Sequence, residues 1–498
     1  MSGRAPGICM NDAVIIGSGP NGLSGAIALA QAGYKVVVFE ANETIGGGVR
    51  SEALTLPGFI HDTCSAVHPF ALASPFWRTL PLADYGLEWI QPPVMLAHPF
   101  DDGTAVAVTR SIEETATALG RDRDAYLRTV GAVAHQWPKL ERAVLGPVNI
   151  PRHPLALARF GLQALQSASR FTHRHFEDDR TRAMFAGIAA HSMLPPDRAL
   201  TAGVGLTLGA MCHIAGWPIP RGGAQAITNA LVAHLRALGG EVVTGTRIRS
   251  LDALPPAKIV LCDLSPRPFL EVAGPRCPPA YRRLLETYRY GPGAFKVDWA
   301  LSAPIPWSAA ECRDAGTVHL GGTYLEVADA ERTVWEGKTA SRPFVLLSQP
   351  TVFDPTRAPS GKHVAWAYCH VPSGSTMNML EAIEQQIERF APGFGGCVLA
   401  RSVMTPADLE ARNANYVGGD IASGVSDLDQ FFTRPTWRAY STPLEGVYLC
   451  SASTPPGVGV HGMGGYYAAQ RALAKQGLRG VGTVRGGGSS DPPSSSRV

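Results

Sequence analysis

The amino-acid sequence predicts an α/β fold, and three observations lead to that prediction. A short apolar run at 13–16 is followed by closely spaced glycines, by apolar positions at helical spacing over 23–31, and by a second apolar run at 35–40. Strand, tight loop, helix and strand in this order form a βαβ unit. Further strand-like runs at 258–262 and 447–450, and helical patterns elsewhere, extend the α/β character along the chain of 498 residues.

Composition narrows the class of protein. The chain is 45% hydrophobic and 17% charged, carries a net charge of +3, and contains 54 glycines and 40 prolines. It lacks a collagen-like period, and its glycine and proline content stays below that of low-complexity sequence. The small basic excess argues against a general nucleic-acid binder, so no nucleic-acid partner is expected. Low charge with many glycines suggests a protein that encloses something large and partly apolar.

The cysteines and the apolar runs bear on location. The nine cysteines include no CxxC pair, which argues against a thioredoxin-type pair and a zinc ribbon. Reduced thiols, and hence a cytoplasmic location, are the simplest interpretation. Residues 1–11 lack the apolar core of a signal peptide. The uncharged run at 200–220 contains six glycines and prolines, so we expect a buried segment there and not a membrane span.

The glycine loop after the first predicted strand carries the strongest functional signal. Its sequence, GSGPNG at 17–22, fits the GxGxxG pattern that binds a dinucleotide diphosphate, and Glu40 closes the next strand. Glycines allow a tight turn and close approach of the backbone, and the following helix N-terminus offers free N–H groups to phosphate. Glu40 is expected to accept hydrogen bonds from a ribose. The other expected contacts are Gly17, Ser18, Gly19, Pro20, Asn21 and Gly22.

A second glycine cluster follows at 46–48, within the segment 41–51. It suits a ligand that extends beyond its first nucleotide, because the backbone must pass close to such a ligand. Arg50 in the same segment can meet phosphate or flavin oxygens. No second GxGxxG with a following acid occurs, so the sequence predicts one dinucleotide site and no separate nicotinamide-binding domain.

A third small-residue segment lies near the C-terminus. The strand-like run at 447–450 is followed by SASTPPGVGVHGMGG at 451–465 and then by a predicted helix over 466–475. Small residues before a helix N-terminus suit close approach to a large cofactor. A plain surface loop is the alternative interpretation.

Together these segments resemble the superfamily of FAD-dependent amine oxidases and phytoene desaturases, and most closely the bacterial phytoene-desaturase-like oxidoreductases related to an animal pyridine nucleotide-disulfide oxidoreductase domain-containing protein. The resemblance is carried by DAVIIGSGPNGLSGAIALAQAGYKVVVFEA (12–41), IGGGVRS (45–51), LPGFIHDTCSAVHP (56–69), GWPIPRGGAQAI (216–227), NYVGGDI (415–421) and VYLCSASTPPGVGVHGMGGYYAA (447–469). It implies FAD as cofactor.

The resemblance also implies a domain arrangement. A Rossmann-like, glutathione-reductase-like FAD-binding domain would be discontinuous, with an inserted α+β substrate domain. The implied boundaries are 1–75, 215–290 and 435–485 for the FAD-binding domain, and 76–214 and 291–434 for the partly helical substrate-binding domain. Residues 486–498 are rich in Gly, Ser and Pro, a composition that predicts a disordered tail. Further contacts along the cofactor would come from Ala41, Gly47, Gly48, Val49, Arg50, Ile248, Ala452, Val460, His461, Gly462 and Met463.

Two residues are candidates for catalysis under this resemblance. His461 would lie near the flavin, where it could accept a proton or hydrogen-bond the ring, or else only order its loop. Lys296 lies in the strand-like run 295–299, and amine oxidases often place a lysine on a strand near flavin N5. An ion pair with Asp298 is the alternative for Lys296. The His, Asp and Cys residues of 61–68 match no common metal spacing, so no metal is expected.

The sequence therefore predicts an FAD-dependent oxidoreductase of the desaturase or dehydrogenase type. It would move a hydride from an apolar or amphipathic small molecule to flavin N5, and oxygen, a quinone or another acceptor would reoxidise the flavin. The alternatives are amine-oxidase-type oxidation, redox-neutral isomerisation on the same scaffold, and a flavin-binding protein that acts mainly through partners. The basic stretch 152–175, with interleaved leucines and phenylalanines, predicts either peripheral membrane contact or a solvated helix over the substrate cavity.

Overall fold

The computed structural model describes residues 12–477. Its strands are β1 (Ala13–Ile16), β2 (Val36–Phe39), β3 (Ser51–Glu52), β4 (His61–Asp62), β5 (Trp89–Ile90), β6 (Val94–Pro99), β7 (Ala105–Thr109), β8 (Ile219–Pro220), β9 (Glu241–Val243), β10 (Ile259–Cys262), β11 (Gly293–Leu301), β12 (Ala315–Leu320), β13 (Val345–Ser348), β14 (His363–Val371), β15 (Val398–Met404) and β16 (Val447–Leu449). The predictions for 1–11 and for the tail at 486–498 fall outside the described residues.

The α-helices of the same range follow in chain order. They are α1 (Pro20–Gln31), α2 (Pro69–Ala73), α3 (Ile112–Ala118), α4 (Arg123–Tyr126), α5 (Ala132–Val144), α6 (Pro154–Ala164), α7 (Ala168–His175), α8 (Asp179–Ala189), α9 (Thr201–Ile214), α10 (Gln225–Ala237), α11 (Pro266–Ala273), α12 (Pro279–Glu286), α13 (Tyr324–Trp335), α14 (Leu380–Phe390), α15 (Phe394–Cys397), α16 (Pro406–Arg412), α17 (Leu428–Phe431) and α18 (Met463–Lys475).

The first sheet is parallel, with strand order β16-β10-β1-β2-β9. All four residues of β1 are apolar and buried, which is typical of a parallel strand covered by helices on both faces. Its strands come from three distant parts of the chain, near residues 13–39, 241–262 and 447–449. The predicted α/β class with a Rossmann-like βαβ unit is confirmed, whereas the domain boundaries stay a prediction.

Helices α1 and α18 cross closely beneath this sheet. Helix α1 begins at Pro20, because proline at the first helical position lacks only an N–H that the helix does not need. Glycine permits the close crossing: a Cβ at Gly465 would collide with the carbonyl oxygen of Asn21, and one at Gly25 would lie 3.1 Å from that of Gly465. The C-terminal helix therefore lies against the helix that follows the glycine loop.

The second sheet has seven strands in the order β15-β11-β14-β13-β12-β6-β7. Strands β12 and β6 pair in parallel, and the other neighbours pair antiparallel. Because successive side chains of a strand point to opposite faces, the sheet has two different surfaces. One surface, with Val297 and Trp299 of β11, packs against α14 in a buried apolar cluster. The opposite surface carries polar residues, among them Lys296, Thr317 and His319.

The helices around the second sheet clarify two predictions. The uncharged run at 200–220 is largely the buried helix α9 and its C-terminal turn. Among residues 12–477, no helix combines the length and apolarity needed to cross a membrane. The predicted helical region 111–145 is divided into α3, α4 and α5, with Gly120 at φ +57° between the first two.

Candidate functional site

A continuous cavity of about 530 Å³ extends from the first sheet to the second. Its cofactor end is lined by Gly17 after β1, Glu40 after β2 and Asp263 after β10. Its distal end is lined by His191 before α9 and by Thr317 of β12, Trp366 and Tyr368 of β14, Met193, Leu208, Trp217 and Leu346. The carboxyl ends of parallel strands are the usual ligand-binding edge of an α/β sheet, and the cavity begins there.

The glycine loop needs glycine for reasons visible in the structure. Gly17 adopts φ +101°, and a Cβ at Gly22 would collide with the carbonyl oxygen of Gly17. A Cβ at Gly19 would lie 2.7 Å from the Asp263 carboxylate. Helix α1 has no side-chain cap at its N-terminus, so its first turn presents N–H groups and a partial positive charge at the loop.

Glu40 is a fixed hydrogen-bond acceptor. Its Oε2 accepts from the Ser18 N–H at 3.0 Å and from the Ser18 hydroxyl at 2.6 Å. Its Oε1 accepts from both the backbone and the side-chain nitrogen of Asn42, each at 2.9 Å. The side chain is buried and lines the cavity. A ribose hydroxyl would therefore meet a carboxylate that the protein already holds in place.

The second glycine cluster lies directly beside the first. A Cβ at Gly47 would lie 3.1 Å from the Cα of Gly19, and one at Gly48 would collide with the hydroxyl of Tyr416. Arg50 does not line the cavity: its Nε donates to Gly47 and its Nη2 to Arg412, each at a carbonyl oxygen 3.0 Å away. Arg50 thus fixes the glycine cluster, and its direct contact with a cofactor stays a prediction.

The C-terminal segment contributes both lining and support. Ala452 and Val460 line the cavity, while His461 lies behind it. His461 Nδ1 accepts a hydrogen bond at 3.0 Å from the N–H of Met463, the first residue of α18. Burial lowers the pKa of His461 to about 4. In this structure the imidazole is a neutral cap of α18, and its role in proton transfer stays a prediction.

The predicted cofactor contacts separate into two groups. Twelve line the cavity: Gly17, Gly19, Pro20, Asn21, Glu40, Ala41, Gly47, Gly48, Val49, Ile248, Ala452 and Val460. Six lie behind that lining: Ser18, Gly22, Arg50, His461, Gly462 and Met463. Direct contact of this second group with a cofactor stays a prediction, while its support of the lining is visible in contacts such as that of Ser18 with Glu40.

Asp263 is a site residue that the sequence analysis missed. Its Oδ2 accepts from the Gly22 N–H at 3.0 Å, and its carbonyl oxygen accepts from Asn415 Nδ2 at 2.9 Å. Burial raises the pKa of Asp263 to about 7, and the charge of Glu40 adds to the shift. A signal was available, because Asp263 is the first residue after β10 and so lies at the ligand-binding edge of the sheet.

Lys296 lies outside the lining of the distal end. Its ammonium group forms an ion pair with Asp298, and neither side chain is more than 3% exposed. His61 Nδ1 lies 3.6 Å from Asp298 Oδ1. Lys296 Nζ lies 5.6 Å from the ring centroid of Trp366, which does line the cavity. The alternative interpretation of Lys296 as an ion-pair residue describes its contacts, and a catalytic role stays a prediction.

Two histidines that line the cavity are neutral. Burial lowers the pKa of His191 to about 3 and that of His68 to about 4. His191 Nε2 lies 3.1 Å from Nε2 of His319. His191, Thr317 and Trp366 were not among the predicted site residues, since they lie far apart in the chain. The register of the second sheet aligns Thr317 with Trp366, and the turn between α8 and α9 places His191.

The described residues contain no group of three or more His, Cys, Asp or Glu side chains placed to hold a metal ion. Two polar residues of the 61–68 loop have other contacts: Asp62 is ion-paired with Arg357 at 2.8 Å, and His61 neighbours Asp298. The eight cysteines within residues 12–477 are free thiols.

The cofactor end fits FAD. The glycine loop lines the cavity at Gly17 and Gly19, beside the uncapped N-terminus of α1 that suits a diphosphate, and Glu40 offers a fixed acceptor for a ribose. The cavity then continues past Gly47 and Gly48 to Ala452 and Val460, as a two-part cofactor requires. An ionised Asp263 carboxylate would repel a phosphate. Its raised pKa keeps part of the Asp263 side chains neutral near pH 7 and so reduces the repulsion.

Three comparisons with known proteins agree with this geometry. Residues 15–80 match the family described as NAD(P)-binding Rossmann-like domain. The chain is 26% identical to pyridine nucleotide-disulfide oxidoreductase domain-containing protein 2 of Mus musculus over 92% of both chains. It is 26% identical to phytoene dehydrogenase of Streptomyces griseus over 96% of this chain and 98% of the relative. Its structure is similar to a triple variant of putrescine oxidase, with TM-score 0.62 and 15% identity over 94% and 98% of the two chains.

These findings confirm the resemblance on which the sequence analysis relied. Homologues of the chain include phytoene desaturases, and its fold is shared with an amine oxidase. The predicted enzyme class and cofactor are confirmed with it: the protein is an oxidoreductase of the FAD-dependent type.

Proposed function

We propose that this protein removes a hydride from a C–H bond of an apolar or amphipathic small molecule and thereby desaturates or dehydrogenates it. The observation that carries the proposal is the continuity of the cavity from the cofactor end to the distal end. A substrate held against the second sheet would meet the cofactor inside the protein. Bound FAD supplies the two-electron acceptor for such a reaction.

The chain itself has to orient the substrate and exclude water. Apolar side chains at the distal end serve both purposes, among them Met193, Leu208 and Leu346. Alkene formation also releases a proton, for which a weak acceptor suffices. His68 lines the cavity, and neither of its ring nitrogens has a hydrogen-bond partner among the described residues. We propose a His68 nitrogen as the atom that holds the proton.

Oxidation of an amine on the same scaffold is less well supported. Trp366 and Tyr368 both line the cavity and stack at an interplanar angle of 13°, which would suit a cation over an aromatic face. The Lys296 ammonium, however, already lies 5.6 Å from the Trp366 ring centroid. Asp298, the carboxylate opposite Trp366 in the register of β11 and β14, is already paired with that ammonium and is not available to hold a substrate cation, so the aromatic pair supports an uncharged substrate.

Anaerobic titration of the FAD-loaded protein with candidate substrates tests the proposal. We expect the absorbance of oxidised flavin to disappear and the product to be two hydrogens lighter than the substrate. A product of unchanged mass without net bleaching would indicate isomerisation instead. No bleaching and no product with any candidate would favour a protein that acts through partners. Admitting oxygen or a quinone to the reduced protein then identifies the acceptor.

We also propose peripheral contact with an anionic membrane through the α6 surface, which comprises α6 and its flanking residues. Its exposed apolar side chains are Val148, Ile150, Leu155, Leu162 and Leu165. The segment 145–176 contains four arginines and no Asp or Glu, and none of it lines the cavity. Apolar and basic side chains together are typical of helices that lie on a membrane surface.

Cosedimentation with phosphatidylcholine vesicles, with and without phosphatidylglycerol, tests the α6 surface. We expect stronger binding to the anionic vesicles, and roughly tenfold weaker binding after the double substitution Leu155→Ser and Leu162→Ser, since each leucine contributes apolar area. Leu325→Ser changes a leucine of similar exposure on α13 and is the control. Equal binding of the double variant and the wild type would contradict the proposal.

A further inference from the structure

The distal end contains polar atoms that the protein leaves without partners. Thr317 Oγ1 and Trp366 Nε1 belong to buried residues that line the cavity, and neither atom has a hydrogen-bond partner among the described residues. Buried polar atoms in native proteins are rarely left unpaired, so such atoms on a cavity wall indicate a hydrogen-bonding ligand or water.

Sheet register places these atoms on one polar surface. Thr317 pairs with Ser348, which pairs with Trp366, so the three side chains lie in one row across β12, β13 and β14. His319 follows Thr317 by two residues and therefore points to the same face. The hydroxyl of Ser348 is already used, because it donates to the carbonyl oxygen of Gly316 at 3.0 Å. Ser348 also lines the cavity, but its proton is taken, so the Thr317 hydroxyl is the one in this row whose proton is left for a ligand.

His191 completes this surface from the helical side. Its Nε2 is 3.1 Å from Nε2 of His319, so one ring donates and the other accepts. That contact uses a single nitrogen of His191, which leaves Nδ1 for a ligand at the cavity wall. The His319 ring packs closely against Gly187 of α8, since a Cβ at Gly187 would lie 3.0 Å from His319 Nδ1 and 3.2 Å from His98 Nδ1.

The charge at the distal end favours a neutral ligand group. Within the described lining, the carboxylates belong to Glu40, Asp263 and Glu271, and none comes from the second sheet. Asp298 on that sheet is neutralised by Lys296 behind the wall. Burial keeps His191 uncharged, and its Nδ1 is a donor or an acceptor according to the tautomer. A hydroxyl can pair with either form, and a carbonyl with the donor form.

We propose that the substrate is amphipathic and carries a neutral oxygen function, a hydroxyl or a carbonyl, that His191 and Thr317 bind at the distal end. This inference rests on the proposed function and narrows its substrate class. A pure hydrocarbon would leave Thr317 Oγ1 and His191 Nδ1 without a hydrogen bond, whereas an oxygen function held there would fix which C–H bond of the substrate reaches the cofactor end.

Spectral titration of the FAD-loaded protein with octan-1-ol, octan-2-one and octane tests the proposal, because binding near a flavin changes its visible absorption. We expect the alcohol and the ketone to bind more tightly than octane. Thr317→Val keeps the branched shape of the side chain and removes the hydroxyl, and His191→Leu removes the ring nitrogens. Each should weaken octan-1-ol binding roughly threefold to tenfold, the usual effect of one lost hydrogen bond, and leave octane binding within about twofold.

Ser348→Ala is the matched control, since its hydroxyl lies in the same row but is bonded to Gly316, and it should leave all affinities within about twofold. Unchanged octan-1-ol binding in both the Thr317 and His191 variants, equal binding of octane by the wild type, or no spectral response to any probe would overturn the inference. Flavin bleaching by a hydrocarbon substrate would overturn it while supporting the proposed function. Tighter binding of the alcohol than of octane, without reduction of the flavin by any candidate substrate, would support the inference about the distal end and contradict the proposed function.

Discussion

The two ends of the cavity are built in different ways. At the cofactor end, recognition depends on backbone geometry: Gly17 and Gly22 exclude side chains, and the first turn of α1 presents N–H groups. At the distal end it depends on side chains from separate elements, with Thr317 placed by the register of the second sheet and His191 by the turn between α8 and α9. A backbone site tolerates no added atom, whereas a side-chain site depends on each partner, so substitutions at the two ends should have different consequences.

Lys296→Met should produce the largest loss of stability and should leave the cofactor end intact. The substitution removes the partner of Asp298, which is fully buried, and an unpaired buried charge costs about 3–5 kcal/mol of unfolding free energy. Urea unfolding measures the loss, and FAD content in the folded protein measures the cofactor end. A large loss of FAD content at unchanged stability would contradict the expectation that the substitution leaves the cofactor end intact.

The double variant Lys296→Met with Asp298→Asn is the control for this prediction. It removes both charges and keeps the side-chain shapes, so it should recover most of the lost stability. The same variant tests catalysis by Lys296 in a folded protein. Flavin reduction by substrate at the wild-type rate would rule out a catalytic role for the lysine.

Gly22→Ala should have the converse effect at the cofactor end. The added Cβ would collide with the carbonyl oxygen of Gly17, and relieving that overlap costs on the order of 3 kcal/mol and distorts the loop. We expect loss of FAD from the purified protein, measured as flavin per chain. Gly161→Ala, on helix α6 where a Cβ meets nothing within 4 Å, should retain full FAD content.

The same contrast explains what the sequence could predict. The cofactor end is encoded locally, since the strand, glycine loop, helix and Glu40 lie within 28 consecutive positions, 13–40. Their order was sufficient to predict the βαβ unit, and the fold class was predicted correctly. Asp263 escaped because it lies 241 residues from its hydrogen-bond partner Gly22. Its position after β10 becomes informative only once β10 is known to neighbour β1.

The distal end could not be predicted in this way. Thr317 and Trp366 belong to strands that touch only through β13, and His191 lies between two helices. Nothing in the local pattern around them differs from an ordinary core segment. The common orientation of Thr317 and Trp366 toward the cavity is a consequence of register, which depends on the packing of the whole sheet, and His191 reaches the cavity through the turn between α8 and α9.

Glu40→Gln tests a side chain at the cofactor end and should have a smaller effect on FAD binding than Gly22→Ala. Glutamine has one acceptor oxygen where Glu40 uses both, so some bonds to Ser18 and Asn42 are lost together with the charge. We expect FAD affinity to fall by about 1.5–3 kcal/mol, the range for hydrogen bonds to a charged group. Glu43→Gln, a nearby exposed carboxylate, is the control and should leave the affinity unchanged. Equal affinities of the two variants would count against Glu40 as the ribose acceptor.

Asp263→Asn should change how stability depends on pH. Burial raises the pKa of Asp263 from 3.8 to about 7 in the folded protein. Between these two pH values Asp263 keeps its proton in the folded chain, whereas it has released it in the unfolded chain. The stabilisation of the folded state by this bound proton is therefore lost as the pH rises from about 4 to about 7. The slope is at most about 1.4 kcal/mol per pH unit. The unfolding free energies of the FAD-free wild type and of Asp263→Asn, compared at pH 5, 6, 7 and 8, isolate the contribution of Asp263, because asparagine does not titrate.

The pH dependence of FAD affinity should also report the ionisation of Asp263. Above pH 7 the Asp263 carboxylate becomes ionised beside the glycine loop, where it repels a diphosphate. Wild-type affinity should therefore fall above pH 7 by up to about tenfold per unit, while Asp263→Asn stays flat. The asparagine retains an oxygen for the Gly22 N–H, so the loop geometry is kept. A parallel decline in both proteins would assign the pH dependence of FAD affinity to a group other than Asp263.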